Sequence, residues 1–229
     1  MKARLWPILL AGLLLISALS LPASAADVPF SDVADSAWYY ESVERVYEKN
    51  WMNGTGNDRF SPDDSLTRAM LAVILWRIEG SQDASRTVTF TDTSANAWYA
   101  DGLSWCAEKG LFAGYPNGSF GPDDAVTREQ LAIVFFRYAE KTGAVPSGQV
   151  GHATFKNGCP WAADACDWAN EHGLFTDAIG TLDLCAPASR AEIAYLLDQY
   201  FPSEASPSAL TENSFDSMGY LLYTPANAQ

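Results

Sequence analysis

The chain has 229 residues carrying 14 basic and 28 acidic side chains, for a formal net charge of −14. A surface this acidic repels nucleic acid and anionic membranes, which excludes both as partners reached by bulk charge. The 204 residues from 26 to 229 are enough for one large or two small cores.

Lys2 and Arg4 precede an apolar run from Ile8 to Leu19 that ends in Ala23-Ser24-Ala25. This pattern is read as a secretory signal peptide over residues 1–25, too short and wrongly flanked for a permanent membrane span. Removal of Lys2 and Arg4 leaves 12 basic against 28 acidic residues, a net charge of −16. Export permits disulfides. Cys106 and Cys166 fall inside helical patterns and read as buried thiols. Cys159 and Cys185 fall in irregular segments and are the pair that a bridge would join.

Next comes an internal repeat. Residues 30–79 align without a gap on residues 90–139, with 18 of 50 pairs identical, so the two stretches are copies of one unit. Shared positions include Phe30 and Phe90, Asp32 and Asp92, Trp38 and Trp98, Gly54 and Gly114, and Phe60 and Phe120. A third, degenerate copy begins near Phe155, with Trp161 at the tryptophan position. The units are placed at 28–80, 88–142 and 153–201. Ser81–Thr89 and Lys141–Ala153 read as linkers, and residues 202–229 as a flexible tail in which Tyr220–Tyr223 could dock as a strand.

Each unit reads as helix, loop, helix. The spacing of Trp38, Val43, Val46 and Tyr47 predicts a first helix over about Ser36–Lys49, capped by Asp35 or Ser36, with copies over Asn96–Lys109 and Pro160–Glu171. Asn50, Gly110 and Gly173 are suited to left-handed termini. Second helices are expected at Arg68–Glu79, Arg128–Lys141 and Arg190–Tyr200, with capping boxes from Thr127 with Gln130 and from Ser189 with Glu192. Met70 breaks the box in the first copy, where a weaker cap is expected. Two helices cannot bury their apolar faces alone, so the units must pack on one another.

Every second helix opens on a hydroxyl residue followed by arginine: Thr67-Arg68, Thr127-Arg128 and Ser189-Arg190. The hydroxyl is a natural N-cap. The arginine then meets the positive end of the helix dipole, at a cost of about 1 kcal/mol or less. Three repetitions of an unfavourable choice point to a purpose for the guanidinium, either an anionic ligand or an ion pair with a neighbouring unit. Trp38 and Trp98 are read as core or as sugar platforms, and Asp32 and Asp92 as turn closures or site residues.

In combination, the Phe-Ser-Asp-Val start with its downstream Trp-Tyr, the Gly-Tyr-Pro-Asn-Gly-Ser-Phe-Gly-Pro-Asp loop, and the Thr-Arg-Glu-Gln and Ser-Arg-Ala-Glu helix starts resemble the S-layer homology family over residues 28–201. The resemblance implies an all-α fold of three tandem repeats in a pseudo-threefold arrangement, with the second helices in a central bundle and ligand grooves between repeats. It also implies a non-catalytic module that anchors exported proteins at the cell surface by binding a secondary cell-wall polysaccharide or peptidoglycan-linked polymer, commonly one bearing pyruvate ketals. The ligand residues it implies are Arg68, Arg128, Arg190, Trp38, Trp98, Asp32, Asp92, Gly54 and Gly114, with Trp161 a weaker match. Free N–H groups at the helix starts would add to the anion site. Asn157 replaces the acid in the third copy and its loop is altered, so Arg68 and Arg128 rank above Arg190, and one or two competent grooves are expected.

Other chemistry fits less well. Pro62-Asp63-Asp64 and Pro122-Asp123-Asp124 suit turns better than a glycosidase carboxylate pair. Asn53–Asp64 lacks the ligand order of a calcium loop, and His152 and His172 have no metal-ligand spacing. No enzyme activity, cofactor or metal is expected. The alternative is a structural or adaptor protein of a surface array, acting through protein contacts. The module is expected to work either as a bare anchor or competitor, or to deliver a cargo protein through its tail.

Overall fold

The computed structural model describes residues 28–86, 89–143, 153–158, 160–176, 178 and 180–201. The segment expected to be a signal peptide, most of the expected second linker, Cys159 and the residues expected to form a tail, with Tyr220–Tyr223, lie outside the described residues. Six α-helices form among those described, two per repeat: α1 (Tyr40–Glu48), α2 (Arg68–Ile78), α3 (Ala100–Glu108), α4 (Arg128–Thr142), α5 (Ala163–Glu171) and α6 (Arg190–Tyr200). The expected all-α fold is therefore present. A two-residue parallel pair, β1 (Phe155–Lys156) with β2 (Leu182–Asp183), is the strand structure of the third repeat.

The second helices begin at the expected arginines, whereas the first helices begin later than expected. Ala37 N–H donates to Ala34 and Tyr40 N–H to Ala37, two successive three-residue turns, and the helical ladder starts only with Val43 N–H to Tyr39. Trp38 thus sits in a turn ahead of α1, and Tyr39, not Asp35 or Ser36, holds the N-cap position without a side-chain bond. The spacing of Trp38 from Val43 could not separate such turns from a helix. The termini are as expected: Asn50, Gly110 and Gly173 have φ of 56°, 66° and 66°.

Capping differs in one respect. Thr67, Thr127 and Ser189 all accept from the third helical N–H, at 3.3, 3.4 and 3.2 Å. Only Ser189 and Glu192 close a full box, because the Gln130 side chain donates to the Tyr115 phenol instead of reaching back. The second linker also starts later than expected, since α4 runs to Thr142 and ends on Gly143 at φ 67°.

Packing runs in a ring: α2 lies on α3, α4 on α5, and α6 on α1. Each second helix therefore packs on the first helix of the following repeat, and the last repeat returns to the first. The apolar faces of the second helices are buried, including Leu71, Leu75, Leu131, Phe135, Ile193 and Leu197. Each such side chain contributes about 1.5–3 kcal/mol. At the C-terminal ends of the second helices, Tyr138 donates to Glu79 and packs edge-on to Tyr200 at 5.4 Å, so one cluster joins all three repeats. Burial is the first of the causes that push the Tyr138 phenol far above its ordinary range, followed by the bond to Glu79.

One register position differs around the ring. It holds Trp76 and Trp105 between the first two repeats, and Phe136 with Trp168 at 5.5 Å between the second and third. At the closing seam it holds Asp198 and Arg45, a bidentate ion pair to which Ser42 also donates at 3.0 Å. Small residues bring these helices together: a Cβ on Gly102 would lie 2.8 Å from the Val73 backbone.

Candidate functional site: the arginine seams

The three hydroxyl-arginine steps stand at the three seams of the ring. At each, the first two N–H groups of the second helix donate to loop carbonyls of the next repeat. Arg68 and Ala69 reach Asp124 and Pro122, Arg128 and Glu129 reach Ala186 and Leu184, and Arg190 and Ala191 reach Asp64 and Pro62. Antiparallel bridges Thr67 to Ala125, Thr127 to Pro187 and Ser65 to Ser189 lie alongside. These N–H groups are consumed, which overturns the expectation that they add to an anion site. At the first and closing seams the Pro-Asp-Asp turns provide the acceptors, and at the second seam Leu184 and Ala186 do, because in each case the loop backbone runs across the end of the neighbouring helix.

The guanidinium groups are what the seams offer instead. Arg68 donates from Nε to Phe120 O at 2.8 Å and from Nη2 to Ala113 O at 2.9 Å. Arg190 donates in the same way to Phe60 O at 2.8 Å and Asn53 O at 2.7 Å. Each guanidinium lies 4.6 Å from the centroid of the same phenylalanine, Phe120 or Phe60, and Arg68 lies 4.8 Å from Tyr115. Only 5% of Arg68 and 7% of Arg190 is exposed, yet no carboxylate pairs with either among the described residues. Burial, the largest effect, pulls both below the usual arginine range. Tyr115, Asp124 and Asp92 oppose it at Arg68, and Asp64 and Asp32 at Arg190. In both, Nη1 has no hydrogen-bond partner among the described residues.

Arg128 is held differently. Its Nε and Nη2 meet the two oxygens of Glu192 at 2.8 and 2.9 Å, and its Nη1 donates to Asp183 O at 3.0 Å. Leu182 stands where Phe60 and Phe120 stand in the other repeats. The order expected from sequence, with Arg128 above Arg190, does not match this geometry: Arg190 reproduces Arg68, and Arg128 is the one that is ion-paired.

The acids form clamps. Asp32 accepts from Phe60 N and Ser61 N at 2.8 and 2.9 Å, and Asp92 from Phe120 N and Gly121 N, both at 2.7 Å. Each thereby fixes the loop whose phenylalanine carbonyl receives the arginine of the preceding repeat in the ring. Asn157 instead donates to Asp183 at 2.9 Å. Burial raises the Asp32 and Asp92 carboxyls, but the backbone N–H bonds together outweigh it, and both lie below the ordinary value of 3.8. A carboxyl depressed by folding stabilises the fold fully above its unfolded value and stops doing so as pH falls through its folded value. Urea midpoints should accordingly fall as pH drops below about 4, and Asp32→Asn with Asp92→Asn should flatten that decline while lowering the midpoint at neutral pH.

Gly54 and Gly114 sit under rings and not in open space. A Cβ on either would lie 2.6 Å from Phe30 or Phe90, and 2.7 or 2.6 Å from the carbonyl of Arg59 or Ser119. They follow directly on Asn53 and Ala113, whose carbonyls hold Arg190 and Arg68. Trp38 and Trp98 are 37% and 64% exposed, which overturns their reading as core, and the turn ahead of each first helix is the reason. Trp38 packs edge-on to Tyr195 of α6 at 5.8 Å and lines an open groove with Asp35, Glu41, Arg45 and Gln199, whose lining does not include Arg190. Sequence reasoning missed Tyr115, which donates to Asp124 at 2.9 Å, and took Gln130 and Glu192 only for capping residues. Cys106 and Cys166 are buried as expected, and the Cys159–Cys185 pairing involves a residue outside the described set.

Such a closed ring of helix pairs, with one arginine per seam, defines a helical-repeat domain whose distinctive groups lie between repeats. No cluster of three or more His, Cys, Asp or Glu side chains suited to a metal occurs among the described residues, and no described helix is long and apolar enough to cross a membrane. The S-layer homology domain model matches residues 29–70 and 89–132, so the first two repeats are S-layer homology repeats. The family is a non-catalytic anchoring domain associated with the cell surface.

Relatives include the cellulosome-anchoring protein of Acetivibrio thermocellus, 33% identical over 43% of this chain and 23% of that protein. The S-layer protein sap of Bacillus anthracis is 26% identical over 81% of this chain and 23% of its own length. An endoglucanase of Bacillus sp. is 33% identical over 59% of this chain but only 15% of that enzyme, a match that carries no catalytic implication. The chain thus spans less than a quarter of the length of each of these relatives.

Proposed function

We propose that this protein is a non-catalytic anchoring module that binds an anionic secondary cell-wall polysaccharide through the seams between its repeats, at the cell surface. The observation that carries the reading is the state of Arg68 and Arg190, two nearly buried guanidiniums in a chain of net charge −14, held by backbone carbonyls and faced by no bonded carboxylate. A sequence selected for stability alone would pair or remove such a cation, since burying an uncompensated charge is costly.

Two of the five N–H donors of each guanidinium are used, and the rest suit the fork of a carboxylate. A pyruvate ketal presents such a carboxylate on a sugar, and the exposed Trp38 and Trp98 offer flat apolar faces for a sugar ring. Asp32, Asp92, Gly54 and Gly114 support the site by shaping the loops that hold the arginines. A bridge between Cys159 and Cys185 would pin the altered loop of the third repeat.

Incubating the protein from residue 26 onward with purified sacculi, before and after chemical removal of the secondary polymer, tests this reading. Retention on intact sacculi and release from stripped ones is expected. Equal retention on both would overturn it, and self-association without any polymer would favour a surface-array protein.

A further inference from the structure

The seams differ at one position. Glu192, the third residue of its helix, bonds Arg128 of the preceding repeat in the ring; by register Gln130, which meets Tyr115 beside Arg68, and Met70 hold the same place relative to Arg68 and Arg190. Only Glu192 brings a carboxylate. It meets Arg128 through both oxygens, at 2.8 and 2.9 Å, in the fork expected of a bound acid. Asp183 O takes the remaining nitrogen at 3.0 Å, so all three nitrogens of Arg128 are engaged. The pair is largely shielded, with side chains 15% and 11% exposed. Ser189 N–H fixes the carboxylate further by donating to it at 2.7 Å.

Gln130 is neutral and leaves a buried Oε1 without a partner at the first seam, while Met70 is apolar and 37% exposed. We propose that Glu192 is a built-in carboxylate that occupies the second seam, so that the third residue of each second helix decides whether the neighbouring arginine accepts an external acid. The chain then has two open sites, Arg68 and Arg190, and one closed by its own side chain. The inference rests on the anionic-ligand reading above and adds which seams can respond to it.

Isothermal titration calorimetry with a methyl glycoside carrying one pyruvate ketal provides the test. The unaltered protein should bind two equivalents. Glu192→Gln, which matches the residue of the second repeat and removes the charge, should bind three, and adding Arg128→Gln should restore two. Gln130→Glu should close the first seam and leave one equivalent, a result that does not depend on Glu192→Gln folding well. Thermal melts of each variant check the fold. Two equivalents in every variant, or three in the unaltered protein, would overturn the role of Glu192 and leave the anionic-ligand reading standing. Absence of binding by all of them would overturn both.

Discussion

Arg68→Gln combined with Arg190→Gln is expected to reduce retention on sacculi to background, while Arg128→Gln leaves it unchanged. A hydrogen bond to a charged group contributes about 1.5–3 kcal/mol, so each lost guanidinium–carboxylate contact should weaken a site roughly 10- to 150-fold. Two sites on one polymer act together, so the double variant should lose more than either single one. All three arginines also bridge repeats, and each substitution should lower stability by about 1–3 kcal/mol. That shared cost makes Arg128→Gln the informative comparison, because it damages a seam as much as the others without removing an open guanidinium. Binding isotherms on sacculi, read beside urea melts, separate the two effects. Equal loss of binding in Arg128→Gln would mean that retention follows the integrity of the seams and not the open arginines.

Gly114→Ala should have the second large effect, destabilising the fold by about 3 kcal/mol in urea melts. The new methyl would lie 2.6 Å from both Phe90 Cε1 and Ser119 O, and the carbonyl cannot move without disturbing the loop that Asp92 clamps. Ala113 O, one of the two acceptors of Arg68, precedes this glycine directly. Weaker binding at the first seam should therefore accompany the loss of stability. Gly54→Ala should do the same at the closing seam, where Asn53 O receives Arg190. A stability change within about 0.5 kcal/mol would show that the ring and loop have more room than these distances allow.

The repeats, the helix pairs and the hydroxyl caps were legible in the sequence because they are local. Apolar spacing, a residue that tolerates positive φ and a side chain that reaches three residues ahead act within one or two turns of chain. The limit of that reading appears at Trp38, where the same apolar spacing suited a turn as well as a helix. Gln130 illustrates it again, since the spacing of a capping box does not reveal that Tyr115 competes for the amide.

That one unit was copied, that each copy makes two helices and that an arginine opens the second helix of each copy can all be read along the chain. Whether those arginines are ion-paired or held by backbone carbonyls was decided only through long-range contacts. Arg68 meets Phe120 and Ala113 across 52 and 45 residues, Arg128 meets Glu192 across 64, and Arg190 meets Phe60 across 130. These partners are brought together by closure of the ring, through contacts that no local pattern encodes. The same arginine, at the same helix position, is thus held by a glutamate in one seam and by backbone carbonyls in the other two, according to which repeat follows it around that ring.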